Sequence, residues 1–292
     1  MNTQNAIPNI NQANNLQGSR LAFIGAGVMA ETMVAGLLRG GIVSSEQIVV
    51  SHPRPDRRAE LADRYNIRAL EQNVDAVLET QSTESSIIVL CVKPQRAAKV
   101  MDELKSSITE SQLVISIVAG TSIQTISEHL GVTKVVRAMP NTPAQIGHGI
   151  TAWTCTDKVS DFERSQVCDL LAALGKEMFV ATENMIDMAT SLSATGPTYI
   201  FMVMEALTDA GVHMGFSREI AKELVQETML GSTLFAMESH KHPAELRNMV
   251  TSPGGTSAAA IYEMEKGGLR TVLSKAVYAA YQRAVTLGKR VD

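Results

Sequence analysis

The stretch Leu21-Ala22-Phe23-Ile24-Gly25-Ala26-Gly27-Val28-Met29-Ala30 decides the fold. An apolar run passes straight into GxGxxA and then into a helical pattern from Glu31 to Arg39. Strand, tight turn and helix in that order make a site for an anion. Gly25 permits the turn, Gly27 lets a pyrophosphate approach the backbone, and Ala30 lets helix and strand pack closely. The helix N-terminus then faces the negative charge.

Outward from this turn, short Val- and Ile-rich runs alternate with amphipathic stretches as far as about residue 181. Strands are expected at 21–25, 47–51, 86–92, 112–117, 134–138, 149–154 and 177–180. Helices are expected at 31–39, 55–65, 95–106, 123–129 and 161–174. The strands are apolar on both faces, as those of a covered parallel sheet must be. The alternation predicts a doubly wound, mostly parallel α/β domain. From Glu183 onward the strand signal stops and Ala, Met and Leu dominate, which predicts an all-α part over 183–292. Within it, 185–204 carries only Asp187 as a charge but also Ser191, Ser193, Thr195, Gly196 and Pro197. That mixture predicts a buried helical run kinked at Pro197, not a membrane span. Residues 1–18 are uncharged up to Gly18 and rich in Asn and Gln. They read as a disordered leader without the basic start and apolar run of a secretion signal, which leaves 19–182 as the α/β domain.

Composition narrows the function. The 292 residues carry 26 basic and 30 acidic side chains, a net charge of −4, which argues against a nucleic-acid binder. Aromatic residues are only 4%, which argues against a site walled by stacked rings. Cys91, Cys155 and Cys168 form no CxxC pair and read as reduced thiols of a cytoplasmic protein. No histidine pair has metal-ligand spacing, so no metal is expected; His240 and His242 read as surface residues beside Pro243.

The other strand ends carry further chemistry, since ligands of open α/β sheets sit outside the carboxyl ends of the strands. The second strand ends in Ser51, His52 and Arg54 where an NAD site would place a carboxylate. Asp56 comes too late and suits the first turn of the next helix. NADP(H) is therefore favoured over NAD(H), while Arg57 and Arg58 read as a solvated helix face. The run ending Leu90-Cys91-Val92-Lys93-Pro94 delivers a lysine at a strand end, placed to touch cofactor or substrate. In Met139-Pro140-Asn141-Thr142-Pro143, Asn141 either bonds the nicotinamide amide or orients the loop. The stretch Ser252-Pro253-Gly254-Gly255-Thr256-Ser257 leads into a helix whose free N–H groups would suit a carboxylate. Taken alone, it reads better as an ordinary helix cap.

Taken together, GAGVMA, VKP, SIVAG, MPNTP, ATGPTY and SPGGTS occur in order across almost the whole chain after residue 18. The sequence thereby resembles the pyrroline-5-carboxylate reductases. The resemblance implies a Rossmann domain followed by a helical dimerisation domain, NADPH (or NADH) as reductant, and homodimers or rings of dimers. It implies that Ile24, Gly25, Ala26, Gly27, Val28 and Met29 hold the pyrophosphate, with Ser51, His52, Arg54 and Asn73 near the adenosine ribose and its phosphate. Cys91, Val92, Lys93, Pro94 and Ala119 would line the ribose and nicotinamide. Gly255, Thr256 and Ser257 would grip the substrate carboxylate, and Glu183 and Thr190 would lie near the substrate. Two departures stand out: ATGPTY where the family reads GSGPAY, and Thr256-Ser257 where it often reads TT or AT.

The implied reaction is reduction of 1-pyrroline-5-carboxylate to L-proline, the last step of proline synthesis. An imine with a protonated nitrogen accepts hydride without a strong base, which fits the lack of a histidine catalyst. Ser257 is the candidate hydrogen-bond partner of the ring nitrogen. A 3-hydroxyacid dehydrogenase or another cyclic-imine reductase would share this architecture. The former needs a lysine on the long helix, and none lies between Lys176 and Lys222. A non-catalytic NADP sensor would not need the second anion-binding turn.

Overall fold

The structure is a computed structural model that describes residues 14–81 and 85–288. Its chain runs through β1 (Arg20–Ile24), α1 (Val28–Arg39), β2 (Ile48–Ser51), α2 (Pro55–Tyr65), β3 (Arg68–Leu70), α3 (Asn73–Leu78), β4 (Ser86–Leu90) and α4 (Pro94–Leu104). It continues through β5 (Leu113–Ser116), α5 (Ile123–Leu130), β6 (Val135–Met139), β7 (Gly149–Cys155), α6 (Asp161–Ala172) and β8 (Gly175–Phe179). The remainder is helical: α7 (Asn184–Ala189), α8 (Gly196–His213), α9 (Arg218–Ser239), α10 (Pro243–Met249), α11 (Thr256–Lys266) and α12 (Leu269–Gly288).

One sheet has the order β3-β2-β1-β4-β5-β6-β7-β8. Every neighbouring pair is parallel except β6 and β7. Strands β1, β2, β4 and β5 are buried almost throughout, because helices cover both faces. Two apolar cores result, one on each face. Phe23, Leu37 and Leu170 belong to the first, and Ile24, Ile88 and Met101 to the second. All seven expected strands form. The sequence reading missed β3 and α3, whose three and six residues are too short for a periodic signal.

The expected leader is wrong for its last residues. Leu16 is fully buried, and both the amide and the side chain of Asn15 donate to Asp169. One buried leucine and two hydrogen bonds outweigh the polar texture around them. Residues 1–13 lie outside the described residues.

By its packing the chain divides into two compact units, residues 1–194 with 280–292, and residues 195–279. The last turns of α12 therefore belong with the sheet. Gly120 and Gly288 lie backbone to backbone: a Cβ on Gly288 would sit 2.5 Å from the Gly120 carbonyl oxygen.

The second unit lacks a core of its own. Thr208, Gly211 and Ala221 are buried where α8 and α9 cross. By contrast Phe201, Met202, Leu224, Leu230, Phe235 and Val272 are exposed. The burial expected over 185–204 is thus not supplied within one chain, since Met188, Leu192 and Phe201 are more than half exposed. An apolar surface of this extent marks an interface. Placing a charge at Phe201, which is 60% exposed, is expected to weaken self-association. Burying a phenylalanine contributes about 1.5–3 kcal/mol, so Phe201→Asp should shift sedimentation from oligomer toward single chains. Equal sedimentation for both proteins would contradict this.

The kink at Pro197 is also corrected. Residues Thr190–Ala194 widen into a π-helical turn, and α8 starts afresh at Gly196 with Pro197 in its first turn. A proline there removes no helical hydrogen bond, since first-turn N–H groups have no partner within the helix.

Candidate active site

The strand ends lie in one row. Register pairs Ser51 with Ile24, Ile24 with Leu90, Leu90 with Ser116, and Ser116 with Arg137. The loops that follow begin at His52, Gly25, Cys91 and Ile117, so four of them leave the sheet along one edge. The Cys91 amide donates to the Ile24 carbonyl and the Ile117 amide to that of Leu90, which extends this shared edge by one residue.

The glycine turn is held by Ser51, whose carbonyl accepts the amides of Gly25 and Ala26 at 3.2 and 2.9 Å. Gly25 has φ +86, and a Cβ there would lie 2.6 Å from Val92 Cγ1. Gly27 is the N-cap of α1 and makes no side-chain cap. A Cβ on Gly27 would meet nothing nearer than 4.0 Å, so the turn is open on that side. A cleft of about 290 Å³ follows, lined by Gly27, Val28, Glu31, His52, Arg54, Arg57 and Glu60. Open N–H groups, an open turn and adjoining guanidinium groups fit the phosphates of a dinucleotide.

The arginines sort differently from the sequence reading. Arg57 and Arg58 are not a solvated face, with side chains only 13% and 18% exposed. Arg57 pairs with Glu31 and Glu60 and donates to the Ala26 carbonyl of the glycine turn at 3.3 Å. Arg58 donates to the His52 and Pro53 carbonyls and pairs with Glu71. Arg57 thus braces the glycine turn, and Arg58 braces the loop after β2. Only Arg54 reaches outward: it is two-thirds exposed and held by Asp56 at 2.7 Å. Burial pushes the Glu31 carboxyl up, but Arg57, Tyr65 and Arg64 together bring it below its ordinary value. Burial, then Arg54 and Arg57, holds the His52 ring below the usual histidine range. The neutral ring accepts the Arg54 amide at Nδ1.

Ser51 is buried and donates to Asn73 Oδ1 at 2.8 Å, while Asn73 Nδ2 donates to Glu103. These two expected residues are thus brought together. Lys93 stands exposed at the N-cap of α4 with Pro94 behind it. Burial pushes the Cys91 thiol up, so it stays neutral. The Asn141 question resolves toward structure: its Oδ1 accepts the Ile150 amide at 3.0 Å and its Nδ2 donates to Ser193. Glu183 is engaged within the first unit, with Oε1 accepting from Arg137 and from the Ile123 amide. Thr190 donates to the Ile186 carbonyl. Arg137, to which the sequence reading gave no role, is the residue it missed.

In the second unit, Gly255 is the N-cap of α11 and offers no side-chain cap. The helices that start at Ile123, Asp161 and Arg218 are each capped by a serine. Glycine is itself a common N-cap, so this start fits an ordinary cap as well as a place for an anion. Thr256 and Ser257 are the first two residues of α11.

A dinucleotide turn on a doubly wound sheet, followed by a helical unit, is the architecture of a nicotinamide-dependent oxidoreductase of the two-domain class. Two family models match: pyrroline-5-carboxylate reductase dimerisation over residues 183–287, and NADP oxidoreductase, coenzyme F420-dependent, over residues 20–120. The pyrroline-5-carboxylate reductase of Pisum sativum is 38% identical over 90% of this chain and 94% of its own. The structure of that enzyme from Coxiella burnetii superposes with TM-score 0.82 at 34% identity, covering 92% of this chain and 98% of the other. A Plasmodium falciparum pyrroline carboxylate reductase with NADP bound gives TM-score 0.84 at 29% identity, covering 92% and 98%. The chain belongs to the pyrroline-5-carboxylate reductase family.

Proposed function

We propose that this protein reduces 1-pyrroline-5-carboxylate to L-proline with NADPH, the last step of proline synthesis. The observation that carries the reading is a pair of glycine N-caps in extended conformation, at Gly27 and Gly255, on a chain of this family. The first receives the cofactor phosphates and the second the substrate carboxylate. On this reading 19–182 hold the cofactor and 183–292 supply the substrate site and dimer face; the family match over 183–287 supports that division. The higher assembly we infer is a ring of dimers, since closed symmetry is the rule for such contacts. Three unpaired thiols support a cytoplasmic location.

Bound NADPH supplies the hydride. The chain's own residues position and neutralise. The first amides of α1, at Val28 and Met29, face the pyrophosphate, while those of 25–27 are bonded within the turn and to Ser51. Arg54 and His52 face the adenosine phosphate, with Ser51 and Asn73 behind them. Cys91 to Pro94 and Ala119 line the nicotinamide end. Gly255 and Thr256 hold the carboxylate, while Ser257 hydrogen-bonds the ring nitrogen and relays its proton. Glu183 and Thr190 border the substrate side. Positioning then provides most of the rate.

NADH remains a usable reductant on this reading, because only the extra phosphate distinguishes the two. Arg54→Ala should raise the Kd for NADPH about tenfold, since hydrogen bonds to charged groups are worth about 1.5–3 kcal/mol. The Kd for NADH should change less than twofold. Equal losses for both would remove Arg54 from phosphate recognition. The function itself is tested by following NADPH oxidation with pyrroline-5-carboxylate and with 3-hydroxyacid or 3-ketoacid pairs. Turnover confined to the imine supports the proposal; turnover of the acids, or tight NADPH binding with no turnover, overturns it.

A further inference from the structure

We propose that Arg137 is a positioning residue for this reduction, acting through α7; the inference rests on the functional reading above. Arg137 is 2% exposed and stands in the middle of β6, in register with Ser116 at the end of β5. Its Nη1 donates to Glu183 Oε1 at 2.9 Å and its Nη2 to Asp187 Oδ1 at 2.6 Å. The same Glu183 oxygen accepts the amide of Ile123, the first residue of α5, at 2.7 Å. One guanidinium therefore ties β6, α5 and α7 together.

The two carboxylates are four residues apart, one helical turn, on the same side of α7. A planar fork that grips both sets the rotation of the helix as well as its distance from the sheet. The consequence runs in two directions. Ile186 of α7 packs in a small cluster with Met139, Ala152 and Val180, and Ala119 leans on that cluster. Ala119 belongs to the loop assigned to the nicotinamide. C-terminal to Asp187, the chain enters the π-helical turn at Thr190, and Ser193 of that turn accepts from Asn141. The setting of α7 thus reaches both the loop and the turn assigned to the reaction.

Stability alone is a poor account of this arrangement. A buried charged triad is often matched or bettered by apolar residues of similar size. The Nε of Arg137 is moreover buried without a partner, an unmade hydrogen bond that an apolar residue would avoid. What an apolar residue cannot supply is a unique orientation of α7.

The test compares Arg137→Met, Arg137→Lys and the pair Glu183→Gln with Asp187→Asn against the wild-type enzyme. Readouts are kcat and KM for pyrroline-5-carboxylate, the Kd for NADPH and the melting temperature. Arg137→Met should lower kcat/KM for the imine at least tenfold while the NADPH Kd stays within twofold. Lysine, which keeps the charge but grips one carboxylate, should recover part of the loss. Should Arg137→Met not fold, the amide pair, which keeps the side-chain shapes, carries the same expectation at fivefold or more. Wild-type kinetics in any folded variant, or equal losses in imine turnover and NADPH binding, would overturn the proposal. An inactive wild-type chain would overturn the functional reading and this inference with it; an active wild type with unaltered variants overturns this inference alone.

Discussion

Ser257→Ala is expected to lower kcat for pyrroline-5-carboxylate by about 10²–10³-fold, the range for loss of a positioned proton donor or hydrogen bond to developing charge. The Kd for NADPH should stay within twofold, because the phosphate turn at Gly25 to Val28 belongs to the other compact unit. Ser257 is the second residue of α11, where its own amide needs no helical partner. In the proposed site its hydroxyl serves the imine and the neighbouring N–H groups the carboxylate, two groups that one small ring carries close together. Ser257→Thr keeps the hydroxyl and should recover most of the rate. Stopped-flow measurement of NADPH consumption separates chemistry from product release. An alanine variant with wild-type kcat would remove Ser257 from the mechanism.

The second large effect lies at Gly25. With φ +86, an alanine there pays about 1–2 kcal/mol for a left-handed backbone. Its Cβ would also press on Val92, whose Cγ1 would be 2.6 Å away and whose backbone N would be 3.2 Å away. Overpacking of that kind costs a further 1–3 kcal/mol, roughly. Relief requires the turn to lift away from β4, which carries the Gly27 and Val28 amides with it. Gly25→Ala should therefore melt several degrees lower and bind NADPH at least tenfold more weakly, by fluorescence titration. Gly41→Ala is the control, since φ is also positive there (+62) but nothing lies within 4 Å of the added Cβ. It should lose some stability and keep NADPH binding. Matching losses of affinity in the two variants would contradict the account.

The parallel half of the fold was legible because its strands are apolar on both faces and bounded by Gly and Pro. Helix α2 begins at Pro55 and ends at Tyr65, the span its pattern predicts. Three features were not legible, each for a physical reason. Burial of Arg57 depends on Glu31, 26 residues away on α1, so a local charge run looked like a solvated face. Burial of Leu16 depends on a core assembled from distant segments. The clamp at Arg137 joins residues 46 and 50 positions apart. Its only local signal was a charged residue in the middle of an otherwise apolar strand, Val135-Val136-Arg137-Ala138-Met139. Such a residue must find a partner when buried, and that expectation alone would have marked it. The helical half reads as helical and as a piece that needs a partner chain to bury its core; only the run over 185–204 looked buried, since periodicity cannot say whether the covering surface comes from the same chain.

The central claim, hydride transfer from NADPH to the carbon of the imine, is tested most directly with NADPH deuterated at the transferable C4 position. Incubated with pyrroline-5-carboxylate and this enzyme, it should yield L-proline with one deuterium, on the ring carbon formerly double-bonded to nitrogen. Proline without label, or label at any other carbon, would contradict the account.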